Sequence, residues 1–565
     1  MGKKILIIGG VAGGASAAAR IRRLDETAKI IIFEKGPHVS FSNCSLPYRL
    51  SDTVNKTEDL ILMSPEKFLK QYNIEARVNS EVVKIQRNEK KILVRDHASG
   101  REYEESYDKL ILSPGARPIL PRSIEGIDKE HVFTARSVVD IDRLYTYLKK
   151  NNIEDVAVVG GGYIGLEIAD NLHLAGKKVS IIEASEQVMA PFDNDMAQIL
   201  HKEIYDKGVN LILNDAVVKI DSDHLVLESG RKVNAKAVVV AVGVAPDTAL
   251  AKDAGLEIGA TGAIKVDHNY LTSDKDIYAI GDAIEVYSRL EHRYFTCGLA
   301  GPAQRQARAA ADHIYGIPYR NNGHICTSIV KLFDLNAAST GLNEKRAKAT
   351  GIPYDFVYII PHDKVSLMPD SNIMHFKLIY EYPTGRILGA QAIGKGNVDK
   401  RIDVIATLIL MGGTLEDAKE LELCYAPPFS TPKDVINHAA LVGLNLLDGR
   451  YEQVPVTKVR ELVENNAFIV DVREKDEYDK GHLINAINIP LSELRSRANE
   501  IPKDRPVYLH CRTGQRSYYA VMALQGMGYR NVYNVSGSFL GICYYEYYQD
   551  QITGRKKIVT EYIFE

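Results

Sequence analysis

One pattern occurs twice in this chain of 565 residues: an apolar strand, a glycine-rich turn, a helical stretch, and a second apolar strand ending in glutamate. The first copy is KKILIIGGVAGGASAAARIRRL, followed by IIIFE. Gly9, Gly13 and Gly14 allow a tight turn and let a pyrophosphate approach the N-terminus of the following helix. Val11 takes the place of the middle glycine of G-x-G-x-x-G, and Glu34 lies where it can accept hydrogen bonds from a ribose hydroxyl. The second copy, DVAVVGGGYIGLEIADNLHLAGKKVSIIEAS, has all three glycines, Gly160, Gly162 and Gly165, and its acid is Glu183. Two such turns predict two dinucleotide sites on α/β domains. A third segment, DIYAIGDA, runs a short strand into Gly281 and Asp282 ahead of the helical stretch GLAGPAQRQARAAADHIYG.

The remaining composition narrows the function classes. The chain is 45% hydrophobic and 25% charged with net charge −3, which argues against nucleic-acid or membrane-surface partners. No apolar run is long enough for a membrane span. MGKKILIIGG enters a strand directly, so the expectation is a cytoplasmic protein. Cys44, Cys297, Cys326, Cys424, Cys511 and Cys543 form no CxxC pair, and their scatter suggests reduced thiols and no metal site.

Together the two turns, SPGARP (113–118) and YAIGDA resemble the flavoprotein disulfide reductases with two dinucleotide folds. The resemblance covers roughly residues 1 to 447. It implies FAD at the first turn, held by Gly9, Val11, Ala12, Gly13, Gly14, Glu34, Lys35, Ser113, Pro114, Gly115, Arg136, Gly281, Asp282 and Ala300. It implies a nicotinamide dinucleotide at the second, held by Gly160, Gly162, Tyr163, Ile164, Gly165, Glu183 and Gly243, with NADH favoured over NADPH because Glu183 would repel a 2′-phosphate.

Most members of that superfamily carry a cysteine pair beside the flavin. Here FSNCSLPYRL offers Cys44 alone, among Ser40, Ser42, Asn43 and Ser45. Leu46–Pro47–Tyr48 predicts a turn into a helix whose N-terminal field would favour a thiolate. SFSNCSLPY resembles the single-cysteine branch of NADH peroxidase, NADH oxidase and coenzyme A-disulfide reductase. The first two carry a histidine in the first glycine turn; Val11 stands there, which makes a thiol substrate the better match. Arg20 and Arg23 would suit coenzyme A phosphates or form a solvated basic face, and Ser40 and Asn43 are further substrate-binding candidates. In the family a pair of tyrosines from the partner subunit reaches the cysteine. LCYAPPFS supplies Tyr425, while Leu367 and Met368 replace the second aromatic stretch.

After residue 448 the texture changes. AFIVDVREKDEYDKGHLINAINIP and VYLHCRTGQRS resemble a rhodanese domain. A cysteine ending an apolar strand, followed by a glycine-containing loop and Arg516, predicts a nest of N–H donors around Cys511 that stabilises a persulfide. Four residues separate Cys511 from Arg516, a loop sized for sulfur rather than phosphate. Asn485 and VSGSFLGICYYE depart from the usual pattern, and Cys543 in that tail has no assigned role.

The expected architecture is an FAD domain (1–150 and 251–320), a nicotinamide domain (151–250), both Rossmann-like, an α+β dimerisation domain (321–447), a linker (448–455) and a rhodanese α/β domain (456–565). The expected activity is NADH-driven, flavin-dependent reduction of coenzyme A disulfide, coenzyme A persulfide or polysulfide by a homodimer. Its rivals are a peroxide-reducing oxidase using a Cys44 sulfenic acid, and a persulfide sensor in which the rhodanese module only signals.

Overall fold

A computed structural model describes residues 2–564. The chain forms two compact units, Met1–Ala184 with Asn214–Cys326, and Ser185–Leu213 with Thr327–Glu565.

In the first unit, strands Ile277–Ala279, Lys109–Leu112, Lys4–Ile8, Lys29–Phe33 and Ile74–Arg77 lie in that order, all parallel. Their near-continuous apolar runs follow from burial of both faces. Helix Ala12–Leu24 packs on helix Ala300–Ile314 through fully buried alanines, among them Ala17, Ala18, Ala307 and Ala310. Small side chains at this contact bring the two helices close, so the alanine-rich stretches of the sequence are a packing requirement. A second parallel set orders Lys178–Ile182, Asp155–Val159, Ala237–Val240 and Val132–Phe133. The last strand, Val132–Phe133, pairs with Ala237–Val240 from ahead of residue 151. Beside it stands an antiparallel sheet of Val217–Ile220, His224–Leu227 and Lys232–Asn234.

The second unit contains an antiparallel sheet ordered Ser328–Leu332, Leu335–Gly341, Ile387–Gly394, Met374–Glu381 and Tyr354–Ile359. Helices Val398–Met411 and Val435–Leu447 pack on it. Its charged centre is Lys377, whose ammonium meets Asp195 at 2.8 Å, Asp193 at 3.2 Å and Glu344. Removing one member of such a buried cluster costs roughly 3–5 kcal/mol. The C-terminal sheet is parallel, ordered Glu452–Val454, Val532–Val535, Val507–His510, Phe468–Asp471 and Ile487–Asn488. The stretch expected as a linker therefore supplies an edge strand. Three residues, EQV, are too short to show a strand period, and their pairing comes from the distant Tyr533–Val535. Among the described residues no helix is long and apolar enough to cross a membrane.

Candidate active site

The first glycine turn is shaped by backbone contacts that no side chain could share. Gly9 has φ +93°, and a Cβ there would sit 2.0 Å from the Ser113 carbonyl oxygen. A Cβ on Gly14 would sit 1.8 Å from the Gly9 oxygen. Immediately after strand Lys29–Phe33, Glu34 accepts the Gly10 N–H at one oxygen and the Gly36 N–H at the other, both at 3.0 Å. Each oxygen retains a lone pair for a hydroxyl.

These groups border a cleft of about 440 Å³ that also contains Cys44. Val11, Ala12, Gly13, Lys35 and Asn43 line it on the side of the first turn. Ser113, Pro114, Gly115, Arg136, Gly281, Asp282 and Ala300 line it from the other segments singled out in the sequence. Arg136 crosses Gly115 to donate to the Ala116 carbonyl at 2.6 Å, and a Cβ on Gly115 would lie 2.4 Å from its guanidinium. Burial raises the Asp282 pKa while Arg136 pulls it back. Asn43 Oδ1 is buried with no hydrogen-bond partner, an acceptor that a bound group must satisfy. A glycine-walled phosphate end, a ribose acceptor and this orphaned acceptor fit a dinucleotide cofactor.

Cys44 sits in a single turn, Asn43–Ser45, followed by a second, Pro47–Arg49. Neither is long enough to align the peptide dipoles of a helix, so the expected N-terminal field is absent. Its sulfur carries the opposite bias. The protein packed around the exposed-edge residue pushes the thiol pKa up, and the carboxylates of Glu167 and Asp282 add to the rise. The loop is anchored in two places. Arg49 stacks on Tyr145 at 3.6 Å and binds Asp52 at 2.6 Å, and Ser51 donates to Asn171 at 2.7 Å.

Glu167 lies on helix Tyr163–Leu174, and burial, then Asp170, push its carboxyl up to about 7. A raised acid holds its proton longer in the folded state, so stability falls as pH rises from about 4.5 to about 7, and the whole cost applies above that. Glu167→Gln should therefore gain on the order of 2–3 kcal/mol over the parent at pH ~8 and almost nothing at pH ~4. Thermal midpoints of the two proteins across this range check it; a constant difference would refute it.

The second turn repeats the first. Gly160 has φ +112°, and a Cβ there would lie 2.4 Å from the Ala241 oxygen; a Cβ on Gly165 would lie 2.0 Å from the Gly160 oxygen. Glu183 accepts the Gly161 N–H at 2.7 Å, as Glu34 does at Gly10. Gly162 has open space at its Cβ position, Tyr163 opens the helix, Gly243 has φ +123°, and Ile164, Val242 and Val244 are exposed.

In the C-terminal domain, buried Cys511 follows strand Val507–His510. Its sulfur accepts the Gly514 N–H at 3.1 Å, with the Ser517 hydroxyl at 3.6 Å. The expected nest is thus one backbone donor aided by hydroxyls, with the Arg516 guanidinium also interacting with the sulfur. Arg516 is gripped by both oxygens of Glu477, at 2.5 and 2.7 Å. A cavity of about 700 Å³ in this unit reaches from His362, Lys364, Lys433 and His438 to Arg512 and Gly514, and no carboxylate lines it.

Some sequence candidates fall elsewhere. Arg20 is held by Asp312 at 2.6 Å, Arg23 is exposed, and neither lines the Cys44 cleft. Ser40 contributes its backbone, donating to the Gly10 carbonyl at 2.8 Å, and its side chain is not in the cleft wall. Tyr425 is 47% exposed in the second unit. Cys297 and Cys326 are paired in a disulfide, with Cα atoms 6.7 Å apart, which corrects the expectation of six free thiols. The strand Tyr294–Thr296 and the chain entering Ser328–Leu332 carry the two together across 29 residues, a proximity with no local signature. Cys543 is packed inside the last helix, and burial pushes its thiol up to about 12, a structural role. Sequence reasoning missed His38 and Asp247 in the cleft wall and Gln306, which accepts the Gly281 N–H at 2.7 Å. None of these has a motif of its own.

The pyridine nucleotide-disulphide oxidoreductase family matches residues 3–307, its dimerisation domain 327–435, and the rhodanese-like domain 456–543. A coenzyme A disulfide reductase of Staphylococcus haemolyticus is 34% identical over 439 residues, covering 77% of this chain and 98% of the relative. The crystal structure of reduced Bacillus anthracis CoADR-RHD is 41% identical with TM-score 0.93, covering 96% of this chain and 98% of that one. A NAD-dependent persulfide reductase from A. fulgidus is 35% identical with TM-score 0.90, covering 95% and 99%. The chain belongs to the pyridine nucleotide-disulphide oxidoreductase family and carries a rhodanese-like domain after its dimerisation domain.

Proposed function

We propose that this protein uses NADH to reduce coenzyme A disulfide and coenzyme A persulfide through a mixed disulfide on Cys44, with Cys511 carrying sulfane sulfur. The observation that carries the reading is Cys44 in the wall of the dinucleotide cleft with no second cysteine beside it. FAD, when bound there, supplies two-electron transfer between nicotinamide and sulfur. For a persulfide RSS⁻, the balance is RSS⁻ + NADH → RS⁻ + HS⁻ + NAD⁺; for a disulfide, RSSR + NADH → RS⁻ + RSH + NAD⁺. The relatives named for coenzyme A disulfide and persulfide reduction support the substrate class. The cavity with Lys433 and Arg512, which no carboxylate lines, suits a phosphate-bearing thiol.

Glu183 supports NADH over NADPH. The lysines that could neutralise a 2′-phosphate are engaged elsewhere, Lys177 with the Ile153 carbonyl at 2.7 Å and Lys178 with Glu154 at 3.3 Å. kcat/KM should favour NADH by at least ~10-fold, and parity between the two nucleotides would overturn this. A homodimer is supported by the dimerisation domain and by exposed Leu367, Tyr425 and Phe429 in the same unit. Tyr425 would then serve the Cys44 of the partner subunit.

A second reading, peroxide reduction through a Cys44 sulfenic acid, draws on His38 in the same cleft. Anaerobic mixing of NADH-reduced protein with coenzyme A disulfide, coenzyme A persulfide, polysulfide and H₂O₂ decides between them. Fastest reoxidation by a coenzyme A species supports the proposal; fastest reoxidation by H₂O₂ replaces it.

A further inference from the structure

The altered tail VSGSFLG forms a clamp on the sulfur-transfer loop. After strand Val532–Val535 the chain places two consecutive residues in the left-handed region, Gly537 at φ +74° and Ser538 at φ +52°. Gly537 is required for space, because a Cβ would lie 2.5 Å from the Tyr358 ring. Ser538 is different: a serine pays for this backbone in steric strain that glycine would avoid. Strain held at a buried position points to a function for the side chain.

The contacts say what that function is. Ser538 is fully buried, and its Oγ accepts the Cys511 N–H at 3.1 Å. The next two residues complete the grip: the Phe539 N–H donates to the Cys511 carbonyl and the Leu540 N–H to the Arg512 carbonyl, both at 3.0 Å. The Ser538 hydroxyl proton has three acceptors within reach: the Val535 carbonyl at 3.2 Å, Ser517 Oγ at 3.4 Å and the Cys511 sulfur at 4.0 Å. Ser517 has a parallel choice, between the Gly514 carbonyl at 3.1 Å and the same sulfur. Both hydroxyls can rotate from a carbonyl to the sulfur when the sulfur is anionic, without any heavy atom moving.

We propose that Ser538 is the positioning residue of the sulfur-transfer loop. It pins the Cys511 amide and, paired with Ser517, lends O–H donors to thiolate or persulfide sulfur. The inference rests on Cys511 as the sulfur carrier. In Ser538→Gly the strain and the hydroxyl are removed together. Relief of the strain and loss of the acceptor for the buried Cys511 N–H oppose each other, so the thermal midpoint of the full-length holoprotein should change little. Alkylation of Cys511 by iodoacetamide at fixed pH, followed on its peptide by mass spectrometry, should slow ~10-fold, the loss of about one hydrogen bond to charged sulfur. Transfer from thiosulfate to cyanide, S₂O₃²⁻ + CN⁻ → SO₃²⁻ + SCN⁻, should lose a similar factor in kcat with KM for thiosulfate unchanged. Ser538→Ala, which keeps the strained backbone and loses only the hydroxyl, should show the same slowing. Unchanged alkylation in either variant would reduce Ser538 to a helix-starting residue and overturn the proposal. Because alkylation reads the sulfur directly, a parent protein inactive with thiosulfate would remove the carrier reading and leave this test standing.

Discussion

Cys44→Ser should keep its FAD and lose NADH-driven reduction of coenzyme A disulfide and persulfide by on the order of 10³-fold or more. Serine cannot form the mixed disulfide, and no other cysteine lines the cleft. The cofactor should stay because the groups that would grip it are others: the backbone of Gly9 to Gly14, Glu34, Arg136 and Asp282. Flavin absorbance of the purified variant, with steady-state NADH oxidation on each substrate, reads both halves. Substantial persulfide reduction by Cys44→Ser would sink the single-cysteine account.

Cys511→Ser should do the converse, abolishing transfer from thiosulfate while leaving reduction of diffusible coenzyme A disulfide within about twofold, since the two sulfurs belong to separate domains and substitutions there should act independently. Rhodanide formation and NADH oxidation, measured on the same preparation, check this. A large loss in both assays would mean that the two thiols act on every substrate together. A loss confined to substrates that enter through the rhodanese loop would point to sulfur passing onward from Cys511 to Cys44.

The glycine turns were legible because each needs a backbone that side chains forbid, at Gly9 and Gly160, and each is followed by an acid at the end of the next strand, Glu34 and Glu183. The departure at Val11 is tolerated because its φ of −99° lies outside the left-handed region, whereas a Cβ on Gly9 or Gly14 would meet a backbone oxygen at 2.0 or 1.8 Å. The position of Cys44 was legible for the same reason, through its place after the first strand–helix–strand unit. Its electrostatics were not. Leu46–Pro47–Tyr48 does begin a turn, but the chain breaks again at once, and the charges that bias the sulfur, Glu167 and Asp282, come from segments more than a hundred residues away. The same limit applies to the Cys297–Cys326 pair, to the edge strand Glu452–Val454, and to Ser538, whose meaning lies in a contact with Cys511. Local backbone rules are written in neighbouring residues; long-range partners are not.

The central claim is that one thiol, Cys44, takes up the coenzyme A moiety. Its most direct test is peptide mass spectrometry of the full-length holoprotein treated anaerobically with coenzyme A disulfide and then with NADH. The account predicts a coenzyme A adduct on the Cys44 peptide that disappears on addition of NADH. An adduct on Cys511 or Cys424 with Cys44 unmodified, or an adduct on Cys44 that survives NADH, would contradict it.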